Sequence, residues 1–358
     1  MITTPLPGRA RRALGAAVAT VVAMSALAAC GADDAGASAA KPTGCTKSTK
    51  IRVALGWIPS VEFGGYWMAD HAGYYADQCL DVEFQPGGPN APLPTAAVAG
   101  KTADVGISST LTEVLTSAGH GDKIVMLGAA FQDSPAALIS LAKDPVKSVT
   151  DLAGKRICLQ DGVQPLIDSL FTKDGKKPDY KAVSVGYDIA PLVKGQCDAY
   201  NGFASNQPVT LETQFKLKAS DYVVTPFSKL GVEQYADLLF AQKSFVDGNH
   251  AAVVKFLRAT SKGWADYLDD PAAAAKVTVD KYGADLGLDL AQQQRTAQLQ
   301  VPYLKSADTQ KHGLLWIDSA TLGGPMYEGQ VAAGVKGLPD KADVPGLLDL
   351  GPLTEATG

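Results

Sequence analysis

The stretch from Val53 to Tyr75 combines several aromatic side chains with a single acid at its centre. These side chains are Trp57, Glu62, Phe63, Tyr66 and Trp67. The pattern predicts a strand that passes directly into a helix, and ligands bind at such junctions in open α/β folds because backbone N–H groups and the helix dipole converge there. An aromatic wall with one acid suits a flat small molecule with polar edges. The same pattern is also typical of an ordinary first βα unit whose aromatic residues fill the core, so both interpretations stay open.

Other predicted strand ends also carry polar or aromatic side chains. Ser108, Ser109 and Thr110 follow the predicted strand at 103–107, and Glu113 comes three residues after the threonine. This spacing predicts a capping box that starts a helix, and the serines could equally face a ligand. Later strand ends supply further candidates, which are Asp161, Gly162, Tyr187, Asn201 and Phe203.

The residue types needed for catalysis do not form a recognisable set. The sequence has no G-x-S-x-G elbow, no P-loop and no H-E-x-x-H motif, and its four histidines are isolated from one another. No cysteine pair has C-x-x-C spacing with a histidine nearby, so we predict no metal site. We therefore expect that the chain is not an enzyme, and we expect no catalytic residue and no cofactor.

Strand and helix patterns alternate from about residue 49 to about residue 240, and the pattern is helical beyond that point. This alternation is typical of an α/β fold in which mostly parallel sheets are flanked by helices. We interpret the apolar strands at 124–131 and 235–240 as leaving and re-entering a first lobe. The predicted domains are lobe 1 at 49–132 and 233–325, lobe 2 at 133–232, and a C-terminal strap at 326–358.

The N-terminal residues are typical of an export signal. Three arginines at 9, 11 and 12 precede the apolar segment Leu14 to Leu27, and Leu27-Ala28-Ala29-Cys30 has the form of a cleavage site. Residues 1–29 resemble a bacterial lipoprotein signal peptide, which would make Cys30 the lipidated first residue of a protein on the outer face of the cell membrane. A plain secretory signal is the alternative, and both the general secretory and the twin-arginine route stay open. Residues 30–48 are a low-complexity tether that we expect to be disordered.

Four further cysteines suggest two disulfides in an exported protein. Cys45 and Cys79 each come just before a predicted strand, and neighbouring parallel strands would bring them together. Cys158 and Cys197 have a similar relation to two later strands. We predict the disulfides Cys45–Cys79 and Cys158–Cys197, one in each lobe.

The charge balance makes nucleic acid an improbable partner. The net charge is −5 for the whole chain and −8 without the three arginines of the signal, and lysine and arginine form no cluster. No second apolar run approaches the length of a membrane-spanning helix, so the lipid is the only membrane contact that we expect.

Several segments, taken in order, resemble the solute-binding proteins of ABC importers. They are Leu55-Gly-Trp57-x-Pro59, Gly64-Gly-Tyr66-x-Met-Ala69, Gly73-Tyr-Tyr, Pro86-Gly-Gly88, Val98 to Ser108, Gly195 to Phe203, Asn206-Gln-Pro208 and His312 to Trp316. Within these proteins the chain is similar to the group that binds thiamine-pyrimidine precursors, riboflavin, or nitrate, sulfonate and taurine. The resemblance covers about residues 50 to 320 and implies a type II periplasmic-binding-protein fold, in which two lobes close on a ligand at the hinge.

The resemblance also implies a function and a set of ligand contacts. The protein would be a lipid-anchored monomer that captures a small heteroaromatic molecule, such as a thiamine pyrimidine precursor or a flavin, and delivers it to an ABC permease and its ATPase. Trp57 and Tyr66 would stack on a ring, and Glu62, Asn201 and the serines would bond its edges. The full set implied is Trp57, Glu62, Phe63, Tyr66, Ser108, Ser109, Thr110, Asp161, Gly162, Tyr187, Asn201 and Phe203, with Tyr235 beside the hinge.

Other functions within and outside this group stay open. Nitrate, alkanesulfonate and taurine binders are the first alternative, but no candidate segment carries the arginine or lysine that an oxyanion would need, which favours an uncharged heteroaromatic ligand. The second is a thiamine-pyrimidine synthase that consumes its own histidine with iron and pyridoxal phosphate; it carries a cysteine-rich motif, whereas this chain has no clustered cysteines. A structural lipoprotein would instead have a cleft filled by its own side chains.

Overall fold

The structure is a computed structural model that describes residues 45–160, 162–173 and 175–358. The predicted signal peptide, the lipidation site Cys30, most of the predicted tether and the candidate Asp161 lie outside the described residues.

The described residues form two five-stranded sheets. The first sheet has the order β2-β1-β3-β10-β4 and the second has the order β7-β6-β8-β5-β9. The strands of the first are β1 (Thr49–Leu55), β2 (Leu80–Gln85), β3 (Val105–Ser108), β4 (Ile124–Phe131) and β10 (Ala236–Gln242). Those of the second are β5 (Ala136–Leu141), β6 (Lys155–Leu159), β7 (Tyr180–Ser184), β8 (Ala199–Phe203) and β9 (Tyr222–Pro226).

Each sheet has one strand that runs against the other four. In the first sheet this strand is β10, which is antiparallel to both β3 and β4. In the second sheet it is β5, which is antiparallel to both β8 and β9. The chain therefore enters the second sheet between β4 and β5 and returns between β9 and β10, at the two places that the apolar strands predicted. The predicted α/β class with two mostly parallel, helix-flanked sheets is confirmed.

Helices connect the strands and form the C-terminal part of the chain. The α-helices are α1 (Gly64–His71), α2 (Tyr74–Asp77), α3 (Pro94–Ala99), α4 (Leu111–Gly119), α5 (Gln164–Lys173), α6 (Ala190–Val193), α7 (Gln207–Thr213), α8 (Lys243–Gly248), α9 (His250–Asp269), α10 (Pro271–Val277), α11 (Leu290–Gln300), α12 (Ala307–His312), α13 (Ser319–Thr321), α14 (Tyr327–Ala332) and α15 (Gly351–Thr357). Shorter 3-10 turns include Val61–Phe63, which precedes α1. In the described part of the chain, no helix is both long and apolar enough to cross a membrane.

Both faces of each sheet are buried, which explains why a strand such as β4 is apolar throughout. Residues of α1 and α9 cover one face of the first sheet, and residues of α4 and α14 cover the other. In the second sheet, α5 covers one face and residues around α6 and α7 cover the other. The C-terminal segment contributes to both sheets, because Ala333 packs in the core of the second and Leu353 in the core of the first. The residue boundaries of the lobes and the strap stay predictions.

Close packing of α1 against α9 fixes the position of the first strand–helix junction. A Cβ atom added to Gly65 would lie 2.0 Å from Cδ2 of Trp264, and one added to Gly263 would lie 2.2 Å from the carbonyl oxygen of Gly65. Only glycine permits this approach, since neither the indole nor the backbone can move away cheaply. The 3-10 turn that carries Glu62 is therefore held by a rigid helix pair.

The structure contains both predicted disulfides. Cys45 is bonded to Cys79, just before the paired strands β1 and β2. Cys158 in β6 is bonded to Cys197, just before the neighbouring strand β8. The argument from parallel strands therefore predicted both pairings.

Candidate functional site

A cleft of about 260 Å³ lies between the two lobes, at the ends of β1, β3, β6 and β8. Its size is near the lower limit of about 300 Å³ that is usual for small-molecule sites. The sequence candidates that line it are Trp57, Glu62, Ser109, Thr110, Gly162, Asn201 and Phe203. The strand ends thus bring together residues that are up to 146 positions apart in the sequence.

Trp57 is placed by the glycine-rich loop that follows β2. The N–H of Gly87 donates to the carbonyl of Trp57 at 3.1 Å, and a Cβ on Gly87 would lie 2.1 Å from the carbonyl oxygen of Leu55. The loop therefore lies directly on the end of β1 and continues along the cleft through Pro89 and Leu93. Leu93 reaches the other lobe, where a Cβ on Gly162 would lie 3.5 Å from its methyl carbon.

Glu62 is a buried carboxyl group that lines the cleft. It lies in the 3-10 turn, where Ser60 caps the first turn by accepting a hydrogen bond from the N–H of Glu62 at 3.3 Å. Burial raises the pKa of Glu62 from 4.5 to about 7, although the Ser109 hydroxyl and the neighbouring Asp237 act in the opposite direction. The Ser109 hydroxyl donates to Oε1 at 3.1 Å. Glu62 can therefore be present as the acid or as the carboxylate near neutral pH.

Glu113 is the second carboxyl group of the cleft wall. Thr110 caps α4 by accepting from the N–H of Glu113 at 3.3 Å, as the spacing predicted. The Glu113 side chain does not complete the capping box but accepts hydrogen bonds from the Thr95 hydroxyl at 2.8 Å and the Ser108 hydroxyl at 2.6 Å. Burial raises the pKa of Glu113, and these hydrogen bonds oppose the effect. Ser108 thus holds Glu113 in place and is not among the residues that line the cleft.

The second lobe contributes amides and an aromatic ring instead of acids. Asn201 is buried, and its Oδ1 has no hydrogen-bond partner among the described residues. Gln207 accepts from the N–H of Phe203 at 2.6 Å, and a Cβ on Gly202 would lie 2.6 Å from the Gln207 oxygen, so a larger residue there would displace this amide. On this side, Gln160 donates to the Tyr200 hydroxyl at 3.3 Å. A bound ligand would therefore meet neutral donors and acceptors here.

The structure does not place Phe63 and Tyr66 on the cleft wall. Both are fully buried, and the ring centroid of Tyr66 lies 5.6 Å from that of Trp264 and 6.3 Å from that of Phe84. The reason is the direction of α1, which turns these side chains toward α9 and β2. The core interpretation therefore describes these two aromatic residues, whereas Trp57 lines the cleft.

Two other candidates also lie away from the lining. Tyr187 is 51% exposed, and it follows Gly186, a residue that lies against Pro89 of the loop after β2. Tyr235 immediately precedes β10 at the second crossover, and its hydroxyl accepts from the N–H of Asp318 at 3.1 Å. Its side chain is buried among residues of the first lobe, and its expected role beside a hinge stays a prediction.

Several cleft residues were not predicted. They are Glu113, Gln160, Asn206, Gln207 and the proline-rich segment from Pro89 to Pro94. Glu113 was not named as a cleft residue because its spacing from Thr110 was already explained by a role in starting α4. Asp237, which lies behind Glu62, was also missed, although an acid within the apolar strand Ala236–Gln242 is itself a signal for a buried carboxyl group.

The residues that line the cleft determine its electrostatic character. Two carboxyl groups line it, and none of the described lining residues is a lysine, an arginine or a histidine. The cleft is thus suited to neutral or positively charged ligands and offers no side-chain counter-ion to an anion.

Comparisons with known proteins agree with this architecture. The profile of the family described as "NMT1/THI5 like" matches residues 60–274. The riboflavin-binding protein RibY of Chloroflexus aurantiacus is 27% identical over 75% of this chain and 77% of its own length. The structure of the alkanesulfonate-binding protein SsuA from Xanthomonas axonopodis superimposes with a TM-score of 0.61 at 13% identity, covering 85% of this chain and 99% of that one. The fold is thus that of periplasmic binding proteins, as predicted.

One relative overturns a sequence expectation. The 4-amino-5-hydroxymethyl-2-methylpyrimidine phosphate synthase of Schizosaccharomyces pombe is 24% identical over 69% of this chain and 73% of its own length. The expectation that the chain is not an enzyme is contradicted by this match, since a synthase uses a related sequence over most of its length. Searching for familiar catalytic motifs missed this because the same family includes both binding proteins and synthases.

Proposed function

The chain belongs to the NMT1/THI5-like family, and from this premise we propose that it is an exported solute-binding protein that captures a heteroaromatic molecule between its lobes. The protein delivers that molecule to an ABC permease and its ATPase. Lipid on Cys30 anchors it to the membrane. The ligand contacts are made by Trp57, Glu62, Ser109, Asn201 and Phe203.

The observation that carries this proposal is the composition of the cleft wall. Aromatic rings from both lobes, Trp57 and Phe203, accompany buried hydrogen-bonding groups at Glu62 and Asn201. Rings bind flat ligands through their faces, and a few placed polar groups fix the orientation of the ligand. The absence of basic side chains among the described lining residues favours a heterocycle over nitrate or a sulfonate.

The names of the relatives support the same class of ligand. RibY is named for riboflavin and the yeast enzyme for an aminopyrimidine, and both molecules are nitrogen heterocycles. Two disulfides support export, because such bonds persist mainly in oxidising compartments.

A thermal-shift screen of the purified protein tests the proposal. The panel contains aminopyrimidines, pyrimidones, flavins, nitrate and alkanesulfonates. A ligand at about 100 times its dissociation constant stabilises the folded state by about 2.7 kcal/mol, which raises the melting temperature measurably. We expect shifts with heterocycles and none with the anions, and the reverse result would contradict the proposal. Mass spectrometry of the same samples shows whether the ligand is recovered unchanged.

Membrane anchoring needs a separate test. The intact chain and the variant Cys30→Ser are expressed in a bacterium that processes lipoproteins and is fed a radiolabelled fatty acid. We expect label and membrane association only for the unchanged chain. Label on Cys30→Ser, or equal release of both proteins from the cells, would contradict lipidation at Cys30.

A further inference from the structure

Asp237 is a buried carboxyl group behind the cleft. It lies in β10, the strand that returns to the first sheet, with a φ of 48°. Its side chain is fully buried, and neither carboxyl oxygen has a hydrogen-bond partner within bonding distance in the described part of the chain. A buried acid without a partner is costly, so the group needs an explanation.

The polar neighbours of Asp237 belong to the cleft. Glu62 and Ser109, which both line the cleft, are the side chains that act on its carboxyl group. Burial raises the pKa of Asp237 well above its usual range, and the negative charge of Glu62 raises it further. In return, the protonated Asp237 lowers the pKa of Glu62, because it stabilises the Glu62 carboxylate. The strand register places the two groups together: Leu238 pairs with Ser108, so Asp237 comes beside Ser109, whose hydroxyl donates to Glu62 at 3.1 Å. Asp237 thus keeps its proton while Glu62 ionises.

The groups that surround the pair do not supply a counter-charge. From α1, Tyr66 is fully buried near Asp237, and burial raises the pKa of its hydroxyl, so it stays neutral. Behind Tyr66, the indole of Trp264 from α9 packs against the tyrosine ring and does not titrate. Ser109, the residue after β3, contributes a hydroxyl. None of the lysine, arginine or histidine residues that the structure describes acts on either carboxyl group.

We propose that Asp237 is a positioning residue that sets the protonation state of Glu62, and that this pair makes the cleft select positively charged heterocycles. The inference rests on the proposed function and adds the charge of the ligand to it. Asp237 acts from behind by keeping its own proton and turning it toward the Glu62 carboxylate, whereas Glu62 meets the ligand. Because Asp237 stays protonated, the pair never carries two negative charges in a buried site.

The proposal predicts the direction in which the affinity for a cation changes with pH. Below neutral pH Glu62 is protonated and the pair is neutral, so a cation gains no charge partner. As pH rises through about 7, Glu62 ionises and the pair carries one negative charge. The affinity for a permanent cation should therefore rise about tenfold between pH 6 and pH 8 and then level off. A neutral heterocycle should show no such rise.

Two probes of similar shape test this difference. The first is 4-amino-1,2-dimethylpyrimidinium, whose charge is permanent, and the second is 2-methyl-4-pyrimidone, which is neutral over this range. Isothermal titration calorimetry gives both dissociation constants with the purified protein at pH 6, 7 and 8. In parallel, carbon-13 NMR follows the Glu62 carboxyl group without ligand, and the signal is assigned by its loss in Glu62→Gln.

Three variants separate the role of Asp237 from a structural role. Asp237→Asn keeps a donor and the positive φ, so the Glu62 midpoint should stay within about 0.5 pH unit. Asp237→Gly tolerates the same φ but removes the donor, so the midpoint and the rise in cation affinity should both move to higher pH. Tyr66→Phe keeps the buried ring and removes only the hydroxyl, and it should leave the profile unchanged. Circular dichroism and thermal unfolding check that each variant is folded.

The outcomes distinguish this inference from the proposed function. If both probes bind with affinities that do not depend on pH, the heterocycle function stands and the role of the pair is overturned. An unmoved Glu62 midpoint in folded Asp237→Gly also overturns it, whether or not a probe binds. If neither these probes nor any heterocycle of the thermal-shift panel binds, both the proposed function and this inference are overturned.

Discussion

The two lobes share a framework but differ in the chemistry that they bring to the cleft. In the first lobe, Arg52 of the inner strand β1 binds Asp104 through its backbone N–H at 2.9 Å and its guanidinium group at 2.7 Å. In the second lobe, Arg156 of β6 binds Asp198 in the same way, at 2.8 Å and 2.6 Å. Each aspartate comes just before the parallel strand that pairs with the arginine strand. Each lobe also has one disulfide that links two neighbouring parallel strands or the residues just before them.

The difference appears where the strands end. The first lobe presents the carboxyl groups Glu62 and Glu113, whereas the second presents the amides Gln160, Asn201 and Gln207. A framework that is repeated can therefore hold unlike sites, because strand pairing uses the backbone and leaves the residues after each strand free to vary. On this view the first lobe determines which charge is accepted, and the second lobe supplies neutral hydrogen bonds when it closes.

The largest effect should come from the disulfides. Each closes a loop, with sequence separations of 34 and 39 residues, so removing either pair should cost about 4 kcal/mol of unfolding free energy from chain entropy alone. Cys158 and Cys197 lie in the core of the second lobe, whereas Cys45 and Cys79 are only partly buried. The double variant Cys158→Ala/Cys197→Ala should therefore lose more stability than Cys45→Ala/Cys79→Ala in urea denaturation.

Mild reduction provides an independent measurement of the same difference. Peptide mapping after timed exposure to a reductant should find free thiols at 45 and 79 first, because that bond is more accessible. Equal losses of stability together with equal reduction rates would show that the frameworks of the two lobes are equally protected.

The next largest effect should come from the ring that the first lobe places in the cleft. Replacing Trp57 by alanine removes a large ring from the wall and should weaken ligand binding by about 2 to 3 kcal/mol, or about 30- to 150-fold. Phe203→Ala is the matched change in the second lobe and should have a smaller effect, because Phe203 also packs edge-on against Phe131 at 6.1 Å. Calorimetry with the best compound of the thermal-shift panel measures both. A larger loss of affinity for Phe203→Ala would show that the ring of the second lobe makes the main stacking contact with the ligand.

The features that the sequence predicted correctly are those that follow from the order of the strands along the chain. The alternation of strands and helices predicted the two lobes, and the positions of Cys45, Cys79, Cys158 and Cys197 in or just before strands predicted both pairings. Trp57 follows β1 and Asn201 lies near the end of β8; both line the cleft, and their contact with a ligand stays a prediction. Tyr66 was placed wrongly because nothing in the local pattern shows which side of α1 faces α9. Asp237 lies inside a strand, so only the three-dimensional packing shows that it lies behind Glu62.

Replacing the Asn201 amide by a carboxyl group tests whether the first lobe alone determines the charge of the ligand. Asn201→Asp places a carboxyl group on the neutral side, close in shape to the amide that it replaces. Above pH 7 the variant should bind the pyrimidinium probe about tenfold more tightly, because a second negative charge then faces the cation across the cleft. Its affinity for the pyrimidone should fall, since Asn201 loses its donor. Unchanged affinities for both probes would mean that Asn201 does not contact the ligand.

The smallest expected effect concerns the repeated ion pair. Burial opposes ionisation of Asp104, but hydrogen bonds from Arg52 outweigh it and hold its pKa below the usual 3.8; hydrogen bonds from Arg156 lower the pKa of Asp198 in the same direction. Both arginine side chains are at least 35% exposed, so solvent screening leaves each pair with only a small contribution to stability.

The pH dependence then follows from the direction of these shifts. Because the folded-state pKa values are lowered, the stabilisation is complete above the unfolded pKa and is lost as pH falls through the folded pKa. Asp104→Asn should therefore destabilise the protein at pH 7 in urea denaturation and lose this effect below about pH 3.8. Asp198→Asn should follow the same profile with a smaller amplitude, since its side chain is 25% exposed and that of Asp104 is 16% exposed. A loss that persists unchanged at low pH would assign the stabilisation to hydrogen-bond geometry rather than to charge.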